Sequence, residues 1–165
     1  MSKSYDDLMA AFAGESMANR RYLAFAKKAE QDGYTQVAHL FRAVAHAETI
    51  HALNHFRAAG EVKTTEENLN TAIAGEKYEN TEMYPAFIKD AEAEGDAKAL
   101  KTFSYANEVE KIHEVLYREM LDSLGKTGEE YDYYICPVCG YTEKRGAPEK
   151  CPVCGAPGTR FERIS

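Results

Sequence analysis

Apolar side chains recur every three or four positions through most of the first 126 residues, with charged residues between them. Around Glu15, for example, Leu8 and Phe12 fall on the same side of a helical wheel. A period near 3.6 residues is typical of amphipathic helices that bury one face. The pattern is broken at Gly33, Gly60 and Gly95. We therefore predict four helices, at residues 4–31, 34–59, 64–94 and 96–124.

Local signals mark the ends of these helices. Ser4 is a candidate N-cap for the first helix, and Asp96 is one for the fourth. Thr64 begins a Thr-x-x-Glu capping box at the start of the third helix. Pro85 lies inside the third helix, so we expect a kink or local break near Tyr84.

Four helices joined by short loops favour an antiparallel four-helix bundle. After residue 126 the pattern changes to turns and Pro-Gly loops. We predict a mainly α fold in three parts: a bundle over residues 1–126, a linker over 127–133, and a small domain over 134–165 that contains all four cysteines.

Ionisable side chains stand on the apolar faces of the predicted helices. Burying an unpaired carboxylate costs several kcal/mol, and a cluster of them would open the bundle. Bound cations would offset this cost, and oxygen and imidazole ligands without thiolate suit iron or manganese. The inward-facing residues are Glu15, Glu48, His51, Glu76, Glu79, Glu110 and His113.

These residues belong to an internal repeat. AFAGE at residues 11–15 recurs as AIAGE 61 positions later, and ETIH at 48–51 recurs as EKIH 62 positions later. Two motifs in the same order suggest that helices 1–2 and 3–4 are related halves, although shared helical composition is the alternative. A Glu from each of two helices and Glu-x-x-His from each of the other two is the ligand pattern of ferritin-like di-metal bundles.

Other residues near these motifs remain open on spacing alone. Glu79 is either a further ligand or an exposed neighbour. Tyr22 and Tyr84 are either hydrogen-bond donors beside the ligands or core aromatics. We assign the histidines without a repeat counterpart to the surface or to packing; they are His39, His46 and His55.

The cysteines form two Cys-x-x-Cys pairs, in YICPVCGY and CPVCGA. Four thiolates from two such turns define a tetrahedral metal site, and spacing alone does not decide between iron and zinc. The glycine after each second cysteine allows a positive φ that turns amide groups toward sulfur. The ligands are Cys136, Cys139, Cys151 and Cys154.

The net charge and the N-terminal residues limit which partners and locations are expected. A net charge of −7 argues against nucleic acid and against an anionic membrane surface. The first residues, MSKSYDDLMA, lack the apolar stretch of a secretory signal, and no run of about 18 apolar residues exists. We expect a cytoplasmic protein without a membrane span.

The ordered motifs AGESMANRRY, ETIH, AGEKYENTEMYP, EKIH, CPVCGY and CPVCGA resemble those of the rubrerythrin family over essentially the whole chain. The resemblance implies a ferritin-like bundle with two non-haem irons and a rubredoxin-like domain with one iron on four cysteines, in which zinc can substitute. It also implies that one iron is held by Glu79 when oxidised and by His51 when reduced. Tyr22 and Tyr84 match tyrosines that hydrogen-bond around this site.

The same resemblance implies a peroxidase that reduces hydrogen peroxide to water. Electrons would come from an external donor, either rubredoxin or an NAD(P)H-linked reductase, through the cysteine site. Because Leu124 lies about 16 Å beyond His113 along the helix, transfer within one straight chain looks long. We therefore expect a head-to-tail homodimer or a higher oligomer. The alternatives are a ferroxidase or iron-binding ferritin-like protein, and an interaction module with structural zinc.

Overall fold

A computed structural model describes residues 2–165, and it is mostly helical. The three-residue strands β1, β2 and β3 follow the helices and form one antiparallel sheet in the order β2-β1-β3. The predicted fold class, a helical ferritin-like part followed by a small cysteine domain, is confirmed. The helices are α1 (Lys3–Gln31), α2 (Thr35–Ala58), α3 (Thr65–Tyr78), α4 (Tyr84–Glu94) and α5 (Ala97–Ser123), and the strands are β1 (Tyr133–Ile135), β2 (Thr142–Lys144) and β3 (Glu162–Ile164).

The helix ends follow local chemistry closely. The capping box at Thr64 is present, and Asp96 accepts hydrogen bonds from the amides of Lys98 and Ala99, each at 3.0 Å. The prediction for Ser4 is wrong: the N-cap lies two residues earlier, at Ser2, whose side chain accepts a hydrogen bond from the amide of Tyr5.

The chain forms two compact units, Met1–Lys63 and Thr64–Ser165. In the first, α1 and α2 form a hairpin that turns at Gly33, where φ is 81°. Alanines fill the contact between the two helices and are buried: Ala26, Ala29, Ala38, Ala45 and Ala52. Their short side chains let the two backbones approach closely.

In the second unit, α3 and α4 pack along α5, and the sheet packs on α5 as well. The core between α5 and the cysteine domain contains Val109, which is 2% exposed, together with Tyr141 and two of the cysteines. Residues 124–132 turn back and place the cysteine domain against α5, so the straight-chain separation considered in the sequence analysis does not apply.

Aromatic contacts repeat in both units. In the first unit the rings of Tyr22, Phe25 and Phe41 have centroids 5.5–6.3 Å apart. In the second unit the corresponding rings also have centroids 5.5–6.3 Å apart; they belong to Tyr84, Phe87 and Phe103. Each member of one aromatic trio lies 62 positions from its counterpart. The repeat therefore extends beyond the two motifs that the sequence revealed.

A π-helical turn, Glu79–Met83, joins α3 to α4. The repeat offset is 61 before this turn and 62 after it, so the turn contains the one extra residue of the second half. Pro85 has no amide hydrogen to give to the carbonyl of Thr81, which disfavours a regular α turn here. The break expected near Tyr84 is thus present as a π turn, with Pro85 in the first turn of α4.

Candidate metal centres

The first ligand cluster lies between α1 and α2. Glu48 and His51 stand one turn apart on α2, and Glu15 faces them from α1. His51 Nδ1 is 2.9 Å from a Glu48 oxygen and 4.0 Å from a Glu15 oxygen. The His51 side chain is 54% exposed, so this α1–α2 cluster is open on one side.

The second cluster has the same composition and lies between α3 and α5. His113 Nδ1 is 2.7 Å from a Glu110 oxygen and 3.7 Å from a Glu76 oxygen. In each cluster, one potential ligand atom from every residue lies within 4.8 Å of the others. Two carboxylates and one imidazole in this space fit a hard or borderline metal ion, so the α3–α5 cluster can hold one metal.

Electrostatics couple the members of the α3–α5 cluster. Burial, followed by a hydrogen bond and charge repulsion from Glu110, raises the pKa of Glu76 to about 7. Burial also acts to raise the pKa of Glu110, but hydrogen bonds from His113 and Glu76 outweigh it and lower that pKa. The hydrogen bond to Glu110 raises the pKa of His113, against the effect of burial. The cluster therefore retains protons that a cation would displace.

Glu79 and Tyr84 lie within the electrostatic reach of this cluster. Burial and then the negative charge of Glu110 raise the pKa of both residues. Glu79 therefore lies close enough to interact with the ligands, but it is not among the residues whose potential ligand atoms lie within 4.8 Å of one another. Tyr84 belongs to its aromatic trio and also senses the carboxylates, whereas Tyr22 contacts Phe25 and Phe41.

The second ring nitrogen of His113 connects the cluster to the cysteine domain. Its Nε2 is 2.9 Å from Thr142 Oγ1, and that hydroxyl donates to the carbonyl of Gly140 at 3.1 Å. Because the hydroxyl hydrogen is used on Gly140, Thr142 accepts from His113 Nε2–H. Once a cation displaces the proton that Nδ1 shares with Glu110, this arrangement would leave the Nδ1 lone pair facing the carboxylates, in the manner of hydrogen-bonded metal ligands.

Three polar residues that support these clusters were missed by the sequence analysis. Asn19 and Asn80 are each 8% exposed. Asn19 donates to the carbonyl of Ala45 at 2.6 Å and joins α1 to α2, and Asn80 donates to Glu114 at 2.9 Å and joins the π turn to α5. The two asparagines are 61 positions apart, so comparing the two repeats position by position would have found them. Thr142, the third, has no counterpart in the repeat.

The remaining histidines do not join a cluster of metal-ligand type within residues 2–165. His39 and His46 are exposed, and His55 is half-buried. This agrees with their assignment to surface or packing positions.

The four cysteines are free thiols and lie together. Sγ of Cys136 is 3.5 Å from that of Cys154, and Sγ of Cys139 is 3.5 Å from that of Cys151. A tetrahedral site with metal–sulfur bonds near 2.3 Å places its sulfurs about 3.8 Å apart. The thiols therefore fit a single tetrahedral ion.

The two cysteine loops have the same backbone. Gly140 and Gly155 have φ values of 85° and 76° and donate to the carbonyls of Cys136 and Cys151, both at 2.9 Å. This confirms the positive φ predicted after each second cysteine. Amides of Val138 and Cys139 donate to the Cys136 sulfur and bring its pKa to about 7, although burial acts in the opposite direction. The first loop thus favours thiolate at Cys136, whereas burial raises the pKa of Cys139 and Cys154.

Comparisons with known proteins agree with these centres. Residues 6–121 match the rubrerythrin family, and residues 134–162 match the rubrerythrin rubredoxin-like domain. Rubrerythrin-2 of Clostridium acetobutylicum is 38% identical, and the alignment covers 95% of this chain and 94% of the relative. Nigerythrin of Nitratidesulfovibrio vulgaris is 35% identical, with 98% of this chain and 86% of the relative covered.

A solved structure of nigerythrin in its fully reduced, all-ferrous state matches with a TM-score of 0.60 at 34% identity, covering 99% of this chain and 88% of that one. The iron cofactors predicted from the sequence are confirmed: the carboxylate–histidine clusters correspond to a di-iron centre and the cysteines to a rubredoxin-like iron site. None of the helices in residues 2–165 has the length and apolar character that a bilayer crossing requires. With both of its parts matched in order, the chain belongs to the rubrerythrin family.

Proposed function

We propose that this protein is a non-haem di-iron peroxidase that reduces hydrogen peroxide to water. The observation that carries the proposal is the chain of hydrogen bonds from Glu110 through His113 and Thr142 to Gly140, the residue after Cys139. A hydrogen-bonded connection of this kind provides a path for electrons between the cysteine site and the carboxylate site. A ferroxidase or iron store has no need of it.

We propose that the two clusters contribute to one two-iron site. Each cluster offers two carboxylates and one imidazole, whereas a di-iron bundle of this class uses four glutamates and two histidines. We include Glu79 as a further carboxylate, since the charge of Glu110 helps to raise its pKa and Glu79 therefore lies close to this cluster. The proposed ligands are Glu15, Glu48, His51, Glu76, Glu79, Glu110 and His113.

When bound, two ferrous ions supply the two electrons that peroxide reduction requires, and the net reaction takes up two protons to form two waters. The side chains of the protein orient the ligands and supply hydrogen bonds to the site. Hydrogen bonding to Thr142 fixes His113 with Nδ1 toward the carboxylates. The raised pKa of Tyr84 keeps its hydroxyl protonated at neutral pH, so it can donate a hydrogen bond to an oxygen at the site.

Re-reduction is the second task of the protein. Val109 packs the cysteine loops against α5, and His113 is one turn further along the same helix. This packing keeps the hydrogen-bonded path short and fixed. We propose that the external donor is rubredoxin or an NAD(P)H-linked reductase in the cytoplasm, because the cysteine domain resembles rubredoxin. Cys139 and Cys154 are only half-buried, so a donor can approach the cysteine site from their side.

A single-turnover experiment tests the peroxidase function. The iron-loaded protein is reduced fully without oxygen, mixed with stoichiometric peroxide, and followed at the visible band of the ferric cysteine site. Return of the band within milliseconds to seconds is the expected result. A slow return with peroxide and a faster one with dioxygen would favour the ferroxidase reading. A preparation that never develops the band holds zinc, and the electron-transfer role is then wrong for it.

Thr142→Val tests the electron path in the same experiment. Valine keeps the shape of threonine and removes the hydroxyl, so the band should return about 10- to 100-fold more slowly, as is typical when a hydrogen-bond partner of a metal ligand is lost. Thr142→Ser, which keeps the hydroxyl, is the matched control and should behave like the original protein. Equal rates for the two variants would remove Thr142 from the path.

A further inference from the structure

A side chain of the cysteine domain holds one of the proposed ligands of the α3–α5 cluster. We propose that the two kinds of metal site are coupled: a metal on the four cysteines raises the affinity of the α3–α5 cluster for its own metal, and the reverse, through the hydrogen bond between Thr142 and His113. The inference concerns how the proposed two-iron site is loaded. It therefore rests on Glu76, Glu110 and His113 as ligands, but not on the peroxidase reaction.

The cluster needs the His113 ring in one orientation. Its Nδ1 is 2.7 Å from a Glu110 oxygen and 3.7 Å from a Glu76 oxygen, so this nitrogen is the one placed to share a cation with them. An imidazole that gives the lone pair of Nδ1 to a metal carries its hydrogen on Nε2. That N–H needs an acceptor, and Thr142 Oγ1 is 2.9 Å away. The metal-binding form of the ring is therefore the form that fits the cysteine domain.

The first cysteine loop fixes Thr142 as that acceptor. The Thr142 hydroxyl donates to the carbonyl of Gly140 at 3.1 Å, which leaves its lone pairs for His113. Gly140 has a φ of 85° and donates its amide to the carbonyl of Cys136 at 2.9 Å. The position of the acceptor thus depends on the conformation of a loop whose cysteines bind a metal.

The cysteine domain has few contacts of its own that could hold this loop in place. Its three strands have three residues each, and a sheet of this size is marginal by itself. Domains of fewer than about 40 residues usually need a metal or disulfides, and the four cysteines are free thiols. Metal binding at such a site contributes free energy of folding. A filled cysteine site therefore stabilises the conformation in which Thr142 meets His113.

Strand β2 contacts α5 at two points, and they differ in what they touch. Lys144, on the same face of β2 as Thr142, forms a solvent-exposed ion pair with Glu119 at 2.5 Å. Such pairs contribute little to stability, and this one does not reach a proposed ligand. The other contact is with His113, whose side chain is only 26% exposed, so water competes less for its Nε2. The coupling is therefore expected at Thr142 and not at Lys144.

Manganese binding measures the coupling without any turnover. Mn²⁺ prefers oxygen and imidazole ligands to thiolates, so it reports on the carboxylate clusters while the cysteines are empty or hold one equivalent of Zn²⁺. Free Mn²⁺ is read by electron paramagnetic resonance in the full-length reduced protein, with and without that Zn²⁺. The Mn²⁺ site that disappears in His113→Gln identifies the α3–α5 cluster.

Zinc should lower the Kd of this site for Mn²⁺ about tenfold, because loss of a hydrogen-bond partner of a metal ligand typically weakens metal binding 10- to 100-fold. Thr142→Val should remove the effect of zinc. Thr142→Ser, which keeps the hydroxyl, and Lys144→Met, which breaks only the exposed ion pair, should retain it. A Kd that does not change with zinc, or that changes equally in Thr142→Val, would overturn the inference.

Reciprocity gives a second measurement that needs no substitution. If Zn²⁺ strengthens the binding of Mn²⁺ by some factor, Mn²⁺ must strengthen the binding of Zn²⁺ by the same factor. Competition with a zinc-selective chromophoric chelator should therefore show about tenfold tighter Zn²⁺ binding when Mn²⁺ is saturating, and equal binding would contradict the coupling.

The coupling and the proposed function can fail separately. Uncoupled sites, in a protein that still has the Mn²⁺ site dependent on His113, would overturn only the inference, since the single-turnover experiment tests the peroxidase reaction independently. An unmodified protein without that Mn²⁺ site would remove the ligands on which both depend.

Discussion

Val109 offers a direct measure of how the cysteine domain is held on α5. Its side chain is 2% exposed, belongs to the core with Cys136 and Cys151, and lies against the backbone of Gly140. Val109→Ala removes two methyl groups, which is about 1.6 kcal/mol of burial at about 0.8 kcal/mol per carbon. The cavity left behind brings the expected loss to about 2 kcal/mol.

If this contact holds the domain in place, a loss of about 2 kcal/mol raises the population of the detached state about 30-fold. Hydrogen–deuterium exchange with mass spectrometry on the iron-loaded protein measures that population. Peptides covering residues 133–144 should exchange about 30-fold faster, while those within α2 should keep their rates.

Val115→Ala is the matched control, because Val115 lies on the same helix and is 53% exposed. Both substitutions change helix propensity alike, so the difference between them isolates packing. Equal exchange in 133–144 for the two variants would refute the reasoning that Val109 secures the domain.

Three further outcomes follow from the sites. The metal-free protein should lose thermal stability as pH rises from about 5 to about 7.5. The folded-state pKa values of Glu76 and His113 are raised, so the stability that these groups contribute is present below their unfolded-state pKa values and is lost as pH rises through the folded-state values. The melting temperature of Glu76→Gln should depend less on pH over this window, and an equal pH dependence would contradict the assignment. Asn80→Ala should lower the free energy of unfolding by about 1–3 kcal/mol, since it removes the hydrogen bonds from the π turn to Glu76 and to Glu114 of α5. Urea denaturation measures this change. The control is Asn70→Ala at an exposed position, where the free energy of unfolding should change by about 0.5 kcal/mol or less. Removing the metal from the cysteine site with a chelator should unfold residues 133–164 locally, which tyrosine fluorescence and exchange of these peptides would follow; unchanged protection there would show that the domain folds without its metal.

Much of the site was predictable because its signals are local and strong. The capping box at Thr64 and the cap at Asp96 depend on residues within one turn. The Glu-x-x-His motifs and the two Cys-x-x-Cys pairs each fix ligand positions by spacing on a single element. Membership in these clusters then follows from which faces of the helices are apolar.

The residues that the sequence did not reveal depend on contacts between distant segments. His113 meets Thr142 only because residues 124–132 fold back onto α5, and no periodicity reports such a return. Ser2 and Ser4 are equally good caps by residue type, and they differ by only two residues at the end of a helix, where boundaries are least determined by local sequence. Asn19 and Asn80 look like ordinary polar residues until their burial is known.

The π turn also has a consequence for register. In a regular α-helix, one inserted residue rotates every later side chain by about 100° around the axis. Here the turn absorbs that rotation within Glu79–Met83, so Tyr84 and Phe87 keep the orientation of their counterparts in the first half. Only the segment around Glu79 is displaced, and positions 61 or 62 residues earlier hold Ala18 and Met17 instead of a carboxylate. With the ligands proposed above, one added residue would give two nearly equivalent halves different ligand sets, and the two metals would be chemically distinguishable.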